Sequence, residues 1–185
     1  MIDPYEKCPV FETESFILRL IEKNDAKDLL KCYSDENAQP LFNADNCTSN
    51  FIYKTIEEMN QCIDFWIFAY KDKGFIRFSI IDKITKEIIG TIEMFGSNSE
   101  FGKITSWGIL RIDIHSSYEK EKYLSELIKL SVNNFYTLFG IKSILSKAIP
   151  KAKNRIKILL DNGFINYIEE TEKPGKYYYY RNEKQ

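Results

Sequence analysis

At 185 residues, 44% apolar and 29% charged, the chain has the makeup of one soluble globular domain whose core needs no crosslinks. Its 26 basic and 27 acidic residues leave a net charge of −1, so no overall field draws it to nucleic acid or to an anionic membrane. Four scattered cysteines without a CxxC, and a single histidine, argue against a metal site and against a disulfide framework.

The opening MIDPYEKCPV lacks a charged-then-apolar signal pattern, and no apolar run reaches membrane length, which points to the cytoplasm. Residues 13–21 alternate as a strand. Asn24 or Asp25 then suits the cap of a short helix with Ala26, Leu29, Leu30 and Tyr33 on one face. Residues 34–51 are polar and interrupted by Pro40, and read either as a cleft-lining connection or as a surface loop. Thr55-x-x-Glu58 predicts a capping box, and Met59, Ile63 and Trp66 recur behind it as a core-facing stripe, with Gly74 as the stop.

Residues 75–82 and 87–95 alternate as a hairpin. A turn at 96–102 leads to a third extended run over 103–115, so an antiparallel meander is expected, with a bend or bulge near Gly108. The stretch from Leu110 to Ser125 joins that strand's end to a long amphipathic helix that Gly140 terminates. Residues 141–149 form a strand parallel to the one before the helix, 151–162 a helix ended by Gly163, and 164–170 with 176–181 a hairpin across Pro174-Gly175. Tyr177 to Tyr180 put rings on both faces of its last strand, as core packing or a homodimer contact would need.

This order of elements resembles the GNAT acyltransferase fold: α+β, with a mixed, mostly antiparallel central sheet, a splayed fourth/fifth strand pair and flanking helices. Thr13-Glu14-Ser15-Phe16-Ile17-Leu18-Arg19 resembles the family's opening T-E-R-L-x-L-R. Phe78–Asp82 with Glu87-Ile88-Ile89-Gly90-Thr91-Ile92 resembles its F-x-I-x-D…G-x-x-I-G-x-I hairpin, and Gly163-Phe164 its L-G-F ending. The likeness spans one domain over residues 1–185 and is nearest to the branch with ribosomal-protein N-terminal acetyltransferases. It implies transfer of an acetyl group from acetyl-CoA, or another acyl-CoA, to a small-molecule amine or a protein N-terminus.

By the same resemblance the donor pairs with backbone at Ile112, Asp113 and Ile114. Its phosphates meet the turn bearing Lys120, Lys122, Tyr123 and Leu124, and Lys151 and Lys153 at the last helix. Glu93, Asp113 and His115 are the candidate bases, with Glu93 and His115 carried forward as the catalytic pair. The family's Q/R-x-x-G-x-G/A loop is not matched: Glu119, Lys122 and Leu124 stand at its three fixed positions, Ala152 replaces an asparagine, and Leu159 replaces a tyrosine. Ser116-x-x-Glu119 would itself suit a capping box that starts the helix early. Two functions stay open, an N-acyltransferase with an altered loop and a GNAT-fold binding or regulatory protein without turnover. Six basic residues within 141–157 suggest an anion- or nucleic-acid-binding face, against which the near-zero net charge speaks.

Overall fold

The computed structural model describes residues 3–45, 47, 49–167 and 177–183. The first alternating segment gives one strand, β2 (Phe16–Leu20), and ahead of it an unforeseen β1 (Phe11–Glu12) pairs back on β2. β2 is shorter than the pattern predicts because Thr13 and Ser15 turn their polar groups to the Glu126 carboxylate. Asp25 does not cap the helix after it. It holds Arg19 through both guanidinium nitrogens and accepts from the Ser79 hydroxyl, so α1 (Ala26–Tyr33) grows from a single 3-10 turn, Lys23–Asp25. α2 (Ile56–Lys71) starts at the expected box, with Thr55 Oγ1 accepting from Glu58 N and the Glu58 carboxylate from Thr55 N.

β3 (Ile76–Asp82), β4 (Ile88–Met94) and β6 (Ile104–Ile114) make the antiparallel meander. Residues 96–102 are more than a turn: β5 (Ser97–Phe101) folds back onto the start of β6. The bend foreseen near Gly108 falls at Ser106, which takes φ 54° just before β6 exchanges β5 for β4 as its partner. α3 (Glu121–Phe139) stops at Gly140 in the left-handed conformation its C-terminal signal predicts, φ 60°, and β7 (Ser143–Lys147) returns parallel to β6. α4 (Lys153–Asp161) is followed by β8 (Ile165–Asn166) and β9 (Tyr178–Asn182), which pair antiparallel. The Pro174-Gly175 turn lies outside the described residues. The sheet runs β1-β2-β3-β4-β6-β7-β9-β8, with β5 on β6 beside that path. Among the described residues no helix is long and apolar enough to cross a membrane.

Period-two alternation gives the sheet two unlike faces. Phe16, Phe78, Ile80, Ile92, Leu110 and Ile112 pack in one cluster with α3 and α4. The other face is polar, yet it is not left to solvent. α1 and α2 cover it with Leu29, Tyr33, Met59, Ile63 and Trp66, and Arg77, Ser79, Thr91, Glu93, Arg111 and Asp113 beneath them are at most 7% exposed.

Candidate active site

The sheet opens between β6 and β7. β6 and β7 pair from Trp107↔Ser143 to Leu110↔Ser146, and there the pairing stops, while β6 runs on against β4 to Gly90↔Ile114. Beyond Leu110 one edge of β6 has no strand beside it among the described residues. The bond from His115 N to Ile89 O, 2.9 Å, sets the alternation along that edge. In an antiparallel ladder every second residue turns both backbone groups to its partner. Arg111 and Asp113 therefore spend theirs on β4, and Ile112 and Ile114 present theirs to the open side.

On the α3/α4 face this edge borders a narrow slot lined by Ile112, Leu124, Ser146, Arg155, Ile158 and Leu159. Its volume is about 10 Å³, the space of roughly one water. Side chains close it. Arg155 Nε lies 2.9 and 3.1 Å from the Glu119 carboxylate oxygens, Nη2 bonds the same carboxylate, and Nη1 reaches Leu41 O. Asn154 Nδ2 donates to Glu119 O at 2.7 Å, and Lys157 pairs with Glu121. Both members of the clasp are largely buried, the Arg155 side chain 8% exposed and that of Glu119 12%.

Past the open edge, residues 116–118 form a 3-10 turn and α3 begins only at Glu121. The capping box expected at Ser116 and Glu119 does not form. Ser116 N bonds Asp35, Ser117 N bonds His115 Nδ1, and the Glu119 carboxylate is committed to Arg155. Lys120, at the N-cap, supplies no side-chain acceptor, so the first-turn N–H groups of Glu121, Lys122 and Tyr123 face outward, as helix starts leave them.

On the α1/α2 face the same strand lines a second cavity, about 370 Å³, walled by Phe51, Tyr53, Trp66, Phe75, Phe95 and Trp107, with Glu93 and Arg111 on its floor. Register builds the floor. Arg77, Glu93 and Arg111 are direct cross-strand neighbours, and Ser79, Thr91 and Asp113 make the next row. Glu93 is held between the guanidiniums of Arg77 and Arg111. Arg77 Nη1 also donates to Tyr33 Oη, Thr91 Oγ1 and Asp113 Oδ2 at 2.9 to 3.1 Å, and its guanidinium sits 4.0 Å from the Trp66 ring centre. Burial pushes the Glu93 carboxyl up, but Arg77 and Arg111 outweigh it and hold the group below the ordinary carboxylate range. Asp113 moves the other way: burial raises it, and Arg77, Arg155 and Tyr33 offset only part of that.

The residues singled out from the sequence are spread over β4, β6, the turn into α3 and the start of α4. Glu93 borders the aromatic cavity. Ile112 and Ile114 form the open edge, whereas Asp113, expected beside them, has its backbone groups on β4 and its side chain in the buried network, so it offers the edge nothing. Lys120 and Lys122 are exposed at the turn, Lys122 in an ion pair with Glu14, while Lys151 and Lys153 are exposed at the start of α4. Tyr123 packs its ring on Phe16 and Tyr118, and Leu124 fills the slot. His115 ends the strand beside Asp35, four residues past Arg111 and so roughly 13 Å from Glu93 by strand rise. The basic stretch 141–157 is partly neutralised, Lys147 by Asp45, Arg155 by Glu119 and Lys157 by Glu121. Tyr178 is buried and accepts from Asn43. Sequence reasoning missed Arg77, Arg111 and the pocket role of Trp66. A cross-strand register drawn through Gly90 would have shown the two arginines flanking Glu93.

The family model described as "Acetyltransferase (GNAT) domain" matches residues 15–165. The chain is 25% identical over 156 residues to an uncharacterized N-acetyltransferase, YoaA, of Bacillus subtilis (strain 168), covering 84% of this chain and 82% of that one. In fold it is similar to the ribosomal-protein-S5-alanine acetyltransferase from Vibrio fischeri, with a TM-score of 0.69, 18% identity and 95% and 97% of the two chains covered. It is also similar to the spermidine N-acetyltransferase from Vibrio cholerae in complex with CoA and spermine, with a TM-score of 0.65, 16% identity and coverage of 92% and 97%.

Proposed function

The chain belongs to the GNAT acetyltransferase family and is an acetyltransferase, and from that premise we propose that it moves an acyl group from an acyl-CoA to an amine seated in the aromatic cavity under α2. The place where β6 loses β7 carries this. There a single strand has an unpaired edge and a closed slot on one face and, around Ile109 and Arg111, a roomy pocket on the other. Donor and acceptor on opposite faces of one strand can meet only at such an opening.

The main chain suits a ligand bearing amides along its length and phosphates at its end. Ile112 and Ile114 offer backbone groups to the open edge, and α3 offers the N–H groups of Glu121, Lys122 and Tyr123. Lys120, Lys122, Lys151 and Lys153 would add positive charge there. The side chains suit it only after a move, because Arg155 and Glu119 fill the way in. An acyl-CoA, when bound, supplies an acyl group activated as a thioester. Leu159 lines the slot and has no proton to give, so a departing thiolate would have to be protonated by water or another group.

Glu93 stands at the acceptor end of the strand and His115 at the phosphate end. Held ionised by two guanidiniums, Glu93 fixes Arg111 and with it the shape of the pocket floor. Glu93→Gln is therefore expected to lower kcat about tenfold or more, whereas His115→Gln changes it less than about threefold, both read from steady-state kinetics. The reverse ranking would move the proton chemistry to the far end of β6.

The donor half is tested by thermal unfolding with acetyl-CoA and with desulfo-CoA. At a hundredfold the dissociation constant, stability should rise by roughly 2.7 kcal/mol. No shift with any acyl-CoA would sink the transferase reading in favour of a GNAT-fold binding protein.

A further inference from the structure

The cavity under α2 is unlike a site for a polycation. Its walls are mostly rings, and among the described residues the one carboxylate lining it, Glu93, is already bound by two guanidiniums. Behind the cavity Arg77 lies over Trp66 and Phe51, 4.0 and 5.4 Å from the ring centres, and with Arg111 it outnumbers the Glu93 carboxylate between them. A chain of several ammonium groups would meet fixed positive charge in a low-dielectric pocket with no free acid to answer it. An apolar ring meets the opposite: a lining that includes Phe95, Trp107 and Phe75, and a volume of about 370 Å³. A dry cavity of about 150 Å³ already holds a benzene ring, so this one has room for a ring and a short amine-bearing arm.

We infer that the acceptor is a primary amine carried on an aromatic or similarly sized apolar group, and that this pocket selects it over polyamines. The inference rests on the proposal that the cavity is the acceptor side of an acyltransferase, and it narrows the class of amine. Two sources share that chemistry: a free arylalkylamine, and a polypeptide whose first residue has a large apolar side chain.

The chain's own fluorescence reads the outcome. It has two tryptophans, Trp66 and Trp107, and both line the pocket, so emission reports occupancy with no acyl donor in the cuvette. Failure of the donor slot therefore leaves this measurement untouched, and failure here leaves the thermal shift with acyl-CoA untouched. Titrating the full chain with 2-phenylethylamine should give a saturable change at least about tenfold tighter than spermidine gives. A tripeptide beginning with phenylalanine provides the second arm, and one beginning with serine its control. Tighter binding of the phenylalanine peptide than of 2-phenylethylamine supports the inference with a protein N-terminus as the source; the reverse order supports it with a free amine. Phe65, at the rim and 55% exposed, can be changed at little cost to the fold, and Phe65→Ser should weaken 2-phenylethylamine about fivefold. Equal or tighter binding of spermidine or of the serine peptide overturns the inference, as does an emission spectrum that neither aromatic probe moves.

Discussion

Arg77→Met is expected to cost about 3–5 kcal/mol of folding free energy, enough to lower Tm by roughly 10 °C in a chain of this size. Arg77 is 1% exposed and holds Glu93 and Asp113 while donating to Tyr33 and Thr91. Methionine fills the space but leaves Asp113 with no cation bonded to it and Glu93 with Arg111 alone. The penalty is that of carboxylates stranded in low dielectric, larger than the worth of the hydrogen bonds themselves.

Its pH dependence has a definite sign. In the native protein the Glu93 pKa is lowered, so its contribution is present above the unfolded pKa and lost as pH falls through the folded one. The Asp113 pKa is raised, so ionised Asp113 subtracts stability, which returns when it is protonated. Removing Arg77 takes away a cation that lowers both carboxylates, so the folded variant takes up protons more readily than the wild type. The stability gap should therefore narrow as pH falls from neutrality toward about pH 4, measured by urea denaturation. In the Arg77→Met background Glu93→Leu should cost less than it does alone, because it removes a charge already short of a partner. A gap independent of pH would mean that Arg77 acts through packing against Trp66 rather than through charge.

The same network marks the limit of what the sequence made legible. Alternation, the Thr55 box and Gly140 located α2, the meander, α3 and the parallel return of β7, because each signal is local and acts through backbone geometry. Alternation allows Glu93 the polar side of its strand, which in most antiparallel sheets is the wet one. Here α1 and α2 cover that face, and only tertiary packing decides it. The cover is built of Tyr33, Trp66 and Met59, residues whose spacing shows that they are buried but not against what. The missing glycines of the phosphate turn were plain in the sequence. What replaces them was not, because Glu119 finds Arg155 thirty-six positions later, a distance at which spacing rules say nothing.

That pair gives the second large effect. Glu119→Ala should bind acyl-CoA roughly ten- to a hundredfold more tightly than the wild type, although the change removes an ion pair and lowers Tm. A ligand that needs the slot open binds with an affinity reduced by the fraction of molecules in which it is open. In the clasped state the slot keeps about 10 Å³ and a carboxylate stands beside the turn where pyrophosphate would lie. Deleting Glu119 removes that repulsion and frees Arg155, a planar donor well matched to phosphate oxygens. Arg155→Gln breaks the same clasp but removes the cation and leaves the carboxylate, so affinity should fall below that of the wild type. The order Glu119→Ala, wild type, Arg155→Gln, taken from calorimetry with desulfo-CoA, separates a gate from a brace. For a brace the two variants would lose stability alike and neither would gain affinity. For a gate they share the loss of stability and part company on the ligand, since only one of the two side chains has anything to offer a phosphate.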